Sequence, residues 1–289
     1  MLSLGGTYAL LALGLAVVFS IMGLINFAHG ELIAITGYTM FFLAMTGLPW
    51  AFIIAGAILV SAVAAILMER IAFRPIRNAS ATTGLMTTFA VMMILQVAWS
   101  NLISPLRQSV VVPGVLAGTT HLGQAAIGNI QIIAIIVSAV SLIGLTVFLK
   151  RTTLGIAMRA SAQDFPVTRL MGIRANRVVA TTFLISGLLA GIAGVLWISQ
   201  RAMVDPHVGL HPVLKAFIAV VFGGLHSLGG AVLGGLILGC VETALRTFLP
   251  DSLLPYREAL ELTVVILILL RWSGGLLTII GQKREIKAD

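Results

Sequence analysis

Three stretches of this chain, Tyr8–Ile25, Trp50–Met68 and Ile130–Leu149, run the length of a membrane helix without one Asp, Glu, Lys or Arg. A shorter run covers Leu262–Leu270. A helix needs about 20 mostly apolar residues to cross a hydrocarbon core of about 30 Å. Within lipid every backbone N–H and C=O must be paired inside the protein, which leaves only helices or closed barrels. Barrel strands are short and alternate in polarity, whereas these runs are long and do not alternate. The chain is 59% hydrophobic and 10% charged, against roughly 25% charged in a soluble domain, so it lacks the polar surface a water-soluble globule needs. The sequence therefore predicts an all-α polytopic membrane protein, a single transmembrane domain over residues 1–289.

Spans are expected near 8–25, 32–47, 50–67, 84–103, 130–149, 179–199 and 259–277, about eight helices in all, with a glycine-broken or re-entrant region near 214–248. The loops fix the expected orientation. "ERIAFRPIRNAS" carries Arg70, Arg74 and Arg77. Residues 150–178 carry Lys150, Arg151, Arg159, Arg169, Arg174 and Arg177, and the tail adds Lys283, Arg284 and Lys287. The intervening loops hold one basic residue each, Arg107 and Arg201. Positive loops stay in the cytoplasm, which puts the N-terminus outside and the C-terminus inside. The net charge of +8 is thus topological and not a nucleic-acid signal. The opening "MLSLGGT" has no basic n-region of a cleaved signal peptide. The lone Cys240 excludes an intrachain disulfide.

Two places resist reading as plain spans. "NFAHGE" interrupts the first hydrophobic stretch, and "FGGLHSLGGAVLGGLILG" is too glycine-rich for one stiff helix. Breaks at matching places in two halves point to an internal inverted repeat with a binding region at the breaks. On a continuous helix Asn26 and His29 share a face, while Glu31 lies about 200° from His29. The three converge only if the helix breaks near Gly30 or a second element completes the site. Ionisable groups at membrane depth face the protein interior or a wet cavity, so Asn26, His29 and Glu31, with His226 and Ser227 at the second break, are candidate pathway or gate residues. The plainer reading is a short turn at the cytoplasmic face, with Asn26 capping and Glu31 facing the positive N-terminus of the next helix; gating or subunit packing, and direct contact with solute, remain beside it.

In the basic segment Gly155–Gln163 suits a short amphipathic helix, Pro166 the first turn of a second, and Gly172 its stop. Leu154, Met158, Leu170 and Met171 are apolar amid positive charge, which suits docking to a soluble partner; adsorption to anionic lipid or a solvated loop are the rivals. Gly187, Gly191 and Gly194, and Gly230, Gly234, Gly235 and Gly239, have the small-residue spacing that lets helices approach closely in lipid. Glu242 and Arg246 form an i,i+4 pair read as structural, and Arg257, Glu258 and Glu261 read as a helix start. Asp205, His207 and His211 make too weak a set for a metal site, and none is expected. The sequence has no Walker A pattern, no H-E-x-x-H and no G-x-S-x-G, so any ATP that drives this machine is bound by another chain.

The motifs "YALLALGLAVVFSIMGLINFAHGE", "ERIAFRPIRNAS", "TTLGIAMRASAQDFPVTRLMGI", "TFLISGLLAGIAGVL" and "LKAFIAVVFGGLHSLGGAVLGGLILG", in this order, resemble the permease subunits of bacterial high-affinity branched-chain amino acid ABC importers, the first of their two permease types. Ser20 stands where that family commonly has glycine, and the C-terminal finish differs. The resemblance implies a non-catalytic permease in the bacterial inner membrane, paired with a second homologous permease, two cytoplasmic ATPases that carry the ATP and Mg, and a periplasmic solute-binding protein. It also implies that residues 152–177 couple to the ATPases, with Arg159, Asp164, Arg169, Leu170, Met171 and Gly172 as the candidate residues. Leu, Ile or Val is the expected cargo. Urea and short amides, carried by closely related permeases, stay open, as does a secondary carrier or channel that works without ATPases. A membrane-embedded enzyme would need a nucleophile and base paired at membrane depth, and none stands out.

Overall fold

The computed structural model describes residues 1–77, 79–114, 118–122, 125–225 and 227–271. The expected all-α polytopic fold is what these residues adopt. Helices α1 (Leu2–Met22), α2 (Glu31–Ala44), α3 (Trp50–Met68) and α4 (Ala81–Leu102) form the first group. A 3-10 turn, Phe27–Gly30, leads into α2, and α3 continues through a π turn, Glu69–Phe73. Helix α5 (Asn129–Arg151) is followed by the short α6 (Thr153–Gln163) and α7 (Phe165–Leu170). The second group is α8 (Ala175–Arg201), α9 (Leu210–Gly223), α10 (Leu228–Phe248) and α11 (Arg257–Arg271). Two small ribbons complete the described residues: β1 (Gln108–Ser109) pairs with β4 (Met203–Val204), and β2 (Thr119–Leu122) with β3 (Ala125–Gly128), both antiparallel.

Seven helical stretches among the described residues are long and apolar enough to cross a membrane, one of them (Phe27–Ala44) only by joining the 3-10 turn to α2; α2 itself and α9, with 14 residues each, are half-length. The region expected to be re-entrant over 214–248 is thus two helices, the half-length α9 and the full-length α10, parted at Gly224, where φ is +99°. Helix α1 begins at Leu2, ahead of the expected Tyr8, and stops at Gly23, which takes the left-handed φ of +63° that a Cβ would disfavour.

The two groups are packed as copies of each other. Helix α1 lies on α10 as α8 lies on α3; α2 packs on α3 and α8 as α9 packs on α10 and α1; α2 touches α4 as α9 touches α11. The α1–α10 and α3–α8 seams are made by small residues. A Cβ on Gly239 or Gly235 would run into the backbone of α1 at Gly5 or Ala9, and one on Gly187 would sit 2.6 Å from Ala65 Cβ. Gly191 fits against Ile58 in the same seam; at neighbouring seams Gly194 of α8 fits against Thr36 of α2, and Gly230 and Gly234 of α10 against Gly223 and Ala219 of α9. Lipid offers no hydrophobic drive for helix association, so this backbone-to-backbone contact is what holds the seams.

The copies run in opposite directions. Helix α1 brings Tyr8 to one cavity and Ile21 to another at its other end, whereas α8 brings its last turn, Trp197 and Arg201, to the cavity that holds Tyr8. The half-length α2 and α9 start against each other. Gly30 is the residue before α2 and Gly209 the residue before α9, and a Cβ on Gly30 would lie 3.1 Å from the Gly209 carbonyl carbon and 2.9 Å from Val213 Cγ1. From that point α9 descends to Ser227 and Leu228 beside α6, while α2 climbs past Val204 of β4.

Candidate functional site

The break before α2 lies inside the bundle, not in a turn at its face. After Gly23 the chain turns back into the protein, and Asn26, His29 and Glu31 are all buried. His29 sits midway along two long helices: its Nδ1 is 3.1 Å from Ser186 Oγ on α8, and its ring lies against Gly14 of α1, where a Cβ would come within 2.9 Å of Cε1. Phe27 stacks on Phe89 of α4 with centroids 4.6 Å apart and tilts against Phe217 of α9 at 5.5 Å. Asn26 does not cap: it makes no side-chain bond to the turn it precedes, and its Oδ1, like His29 Nε2, is buried without a partner among the described residues. The expectation of a cytoplasmic turn capped by Asn26 is therefore corrected. The Gly30 break is what lets these side chains sit in the interior.

Two helix N-termini that meet bring two partial positive charges together. Glu31, in the first turn of α2, supplies the compensating carboxylate. Gln96 of α4 donates to Glu31 Oε1 at 2.9 Å, and His207 Nδ1 is 3.1 Å from Gln96 Oε1. Asp205 in turn accepts from the His207 backbone N–H at 2.9 Å and pairs with Arg107 at 3.6 Å. This polar chain joins the buried break to a surface cavity.

That cavity, of about 510 Å³, is lined by side chains from α1, α8, α9, α10, α11 and the loops beside β1 and β4, a volume within the range of small-molecule sites. Its wall is ionic. The Tyr8 hydroxyl donates to Glu242 Oε2 at 2.6 Å. Lys215 of α9 pairs with Glu261 and lies 3.6 Å from Glu242; Arg246 and Arg257 approach the other Glu242 oxygen at 3.6 and 4.0 Å. Glu242 is buried, and a buried carboxylate needs this company. The Glu242–Arg246 pair is thus part of a network centred on Glu242, and Glu261 belongs to it as well as to a helix start. Arg201 lays its guanidinium over the Trp197 ring, 3.8 Å from the centroid. Sequence reading passed over Tyr8, Trp197 and Lys215. The single signal available for Lys215 was a lone cation inside an apolar run.

At the other end a cavity of about 430 Å³ lies under α6, with Val17, Ser20, Met158, Arg159, Ser227 and Leu228 in its lining. Ser227 caps α10 by accepting from the Gly230 N–H at 3.0 Å; His226 lies outside the described residues, as do Lys283, Arg284 and Lys287. Helix α6 is capped by Thr152, which accepts from the Gly155 N–H at 3.0 Å, and Gly155 sits hard on the end of α5, a Cβ there falling 2.6 Å from Leu149 Cα. Asp164 starts α7 by accepting from the Val167 N–H at 3.0 Å. Arg169 lies on α7, and Gly172 ends the segment with φ +82°. Leu170 and Met171 are 87% and 78% exposed. Met158 corrects the sequence reading: it is 2% exposed and packed in the core, an anchor and not a displayed contact. The basic loop before α4 closes on the same end, with Arg77 bonded to Glu69 at 2.5 Å and to Asn176 at 2.7 Å.

An all-helical membrane protein with two opposed half-length helices that meet at its centre, and a polar cavity leading to their junction, has the build of a transporter. The chain belongs to the family described as the branched-chain amino acid transport system permease component, whose profile matches residues 1–270. It is 35% identical to the high-affinity branched-chain amino acid transport system permease protein LivH of Salmonella typhimurium, over 95% of this chain and 92% of that one. It is likewise 35% identical to the corresponding permease protein BraD of Pseudomonas aeruginosa, over 96% and 93% of the two chains. A more distant likeness, 32% over 42% of this chain and 38% of the relative, joins it to the ribose import permease protein RbsC of Escherichia coli. No solved structure matches the chain.

Proposed function

We propose that this chain is the permease of an ATP-driven importer that passes leucine, isoleucine and valine across a bacterial inner membrane, N-terminus outside and C-terminus in the cytoplasm. The observation that carries this reading is likeness along nearly the whole chain to LivH and BraD. In it the chain pairs with a second homologous permease, receives solute from a periplasmic binding protein at the 510 Å³ cavity, and is driven by two ATPases that hold the nucleotide and metal. The basic loops at the α6 end, Arg70 to Arg77 and Lys150 to Arg177, support a cytoplasmic placement of that end.

The geometry supports a route for the driving force. Exposed Leu170 and Met171 offer an apolar handle to an ATPase surface. Met158 and Gly155 tie α6 to α5 and to the inner ends of α1 and α8. Those two long helices hold His29 between Gly14 and Ser186. A push on α6–α7 thus reaches the residues around the α2–α9 junction and opens the solute's way between the two cavities.

The test is uptake by proteoliposomes carrying the co-purified complex, with binding protein outside and ATP inside. Radiolabelled leucine enters only with ATP, and unlabelled isoleucine and valine compete while urea and acetamide do not. Leucine uptake by the chain alone, driven by an ion gradient and without ATPases, would overturn the reading in favour of a secondary carrier.

A further inference from the structure

The 510 Å³ cavity has more charge than its own ion pairs use. Lys215, Arg246 and Arg257 are committed to Glu242 and Glu261, and Arg107 to Asp205. Two lining groups are left over. Arg201 has no carboxylate within 4 Å among the described residues; its guanidinium is covered on one face by Trp197, and the residue lines the cavity. Glu258, in the first turn of α11, has no cation within 4 Å among the described residues and lines the same space.

A stacked guanidinium holds its fork of donors in one plane, the arrangement that takes a carboxylate through two parallel bonds. An open carboxylate takes an ammonium. One cavity with both charges free, and with Met203 and Val208 as apolar lining, matches a ligand with a carboxylate, an ammonium and an apolar side chain. We propose that the permease itself has a binding site for a zwitterionic amino acid, with Arg201 on the carboxylate and Glu258 on the ammonium. This rests on the importer reading above and adds to it: solute is selected a second time after it leaves the binding protein. From this site the His207–Gln96 chain leads to Glu31 at the junction of the half-length helices, so the ligand sits at the entrance of the route.

The experiment uses the assembled complex in nanodiscs without binding protein, and radiolabelled leucine as the probe. Wild-type complex binds leucine saturably and prefers it to leucinamide, which lacks the carboxylate, and to 4-methylpentanoate, which lacks the ammonium. Arg201→Gln lowers leucine affinity at least tenfold and erases the preference over leucinamide. Glu258→Gln erases the preference over 4-methylpentanoate. Arg201→Lys, which keeps the charge, restores part of the affinity. A purely structural Arg201 would weaken all three ligands alike. The proposal is overturned if wild-type complex binds no leucine, or if both variants bind and discriminate as wild type does. ATP-driven uptake by the same wild-type complex with binding protein separates the two failures: leucine uptake with no binding refutes this site alone, whereas no uptake of leucine, isoleucine or valine refutes the importer reading.

Discussion

Lys215 is the side chain whose removal the structure prices most directly. Its ammonium is bonded to Glu261 and lies 3.6 Å from Glu242, and the side chains of Lys215 and Glu261 are 12% and 1% exposed. At 3.6 Å an effective dielectric constant of about 20 gives roughly 5 kcal/mol of attraction between unit charges. Removing one partner of a buried pair costs about 3–5 kcal/mol, because the other is left charged and unpaired. Glu242 keeps the Tyr8 hydroxyl, Arg246 and Arg257, so the loss falls mainly on Glu261. Lys215→Met is therefore expected to destabilise by about 3–5 kcal/mol, and a domain of comparable size loses about 2–4 °C per kcal/mol, so the apparent melting temperature of purified protein falls by roughly 10 °C. The double variant Lys215→Met, Glu261→Leu removes both charges and returns to within about 1 kcal/mol of wild type, since apolar replacement of a buried pair is commonly neutral or better. Thermal unfolding of the four proteins in one detergent closes the cycle. If the loss in the double variant equals the sum of the two single losses, the charges are not coupled and the network argument fails.

Other outcomes follow from contact geometry. Gly209→Ala and Gly30→Ala are expected to abolish transport in vesicles and to lower stability by about 1–3 kcal/mol through overpacking, whereas Gly229→Ala, with nothing within 4 Å of the new Cβ, leaves both unchanged; equal effects at the three positions would count against the junction. Met158→Ala is expected to cost about 2–5 kcal/mol as a core deletion, while Leu170→Ser and Met171→Ser together are expected to leave the melting temperature unaltered and to abolish co-purification of the proposed ATPase. His29→Ala and Glu31→Ala are expected to lower uptake more than complex assembly, as read by transport and gel filtration of the same preparations; normal uptake with both changes would remove them from the pathway.

The membrane class, most of the spans and the basic loops were legible because each rests on a bulk property, hydrophobic length or loop charge; the expected span 259–277 runs beyond the described residues. The seams were legible at Gly187, Gly191, Gly235 and Gly239, since four-residue spacing of small residues has one structural use in lipid. The matching break was not. Sequence pairs His29–Gly30 with the Gly223–Gly230 region, because both put histidine beside glycine in an apolar run. The structure pairs Gly30 with Gly209, in a stretch, "DPHVGLHP", that reads as an outer loop. Nothing in the residue types of that loop says that it descends into the bundle; only the half-length of α9 does, and helix ends are the least legible feature of a sequence. The Glu242 network was hidden for a similar reason, as its members come from α1, α9, α10 and α11 and meet only on folding.

The two half-length helices differ in how they are held, and that difference gives the junction a direction. The turn before α2 is clasped by the long helices α1 and α8 at Gly14 and Ser186, the same helices on which α6 rests. The chain before α9 is held instead from the opposite end, where His207 bonds to Gln96, Asp205 pairs with Arg107 and β4 pairs with β1. Force applied at α6 therefore acts first on the α2 side of the Gly30–Gly209 contact, while a ligand in the 510 Å³ cavity would act first on the α9 side. The Gly30–Gly209 contact is backbone on backbone with Val213 packed beside it, and it cannot open without uncovering the N-termini of both helices. In the importer proposed above, the two ends of the protein would compete at this contact, solute from one side and ATPase from the other; the close backbone approach accounts for a glycine on each side.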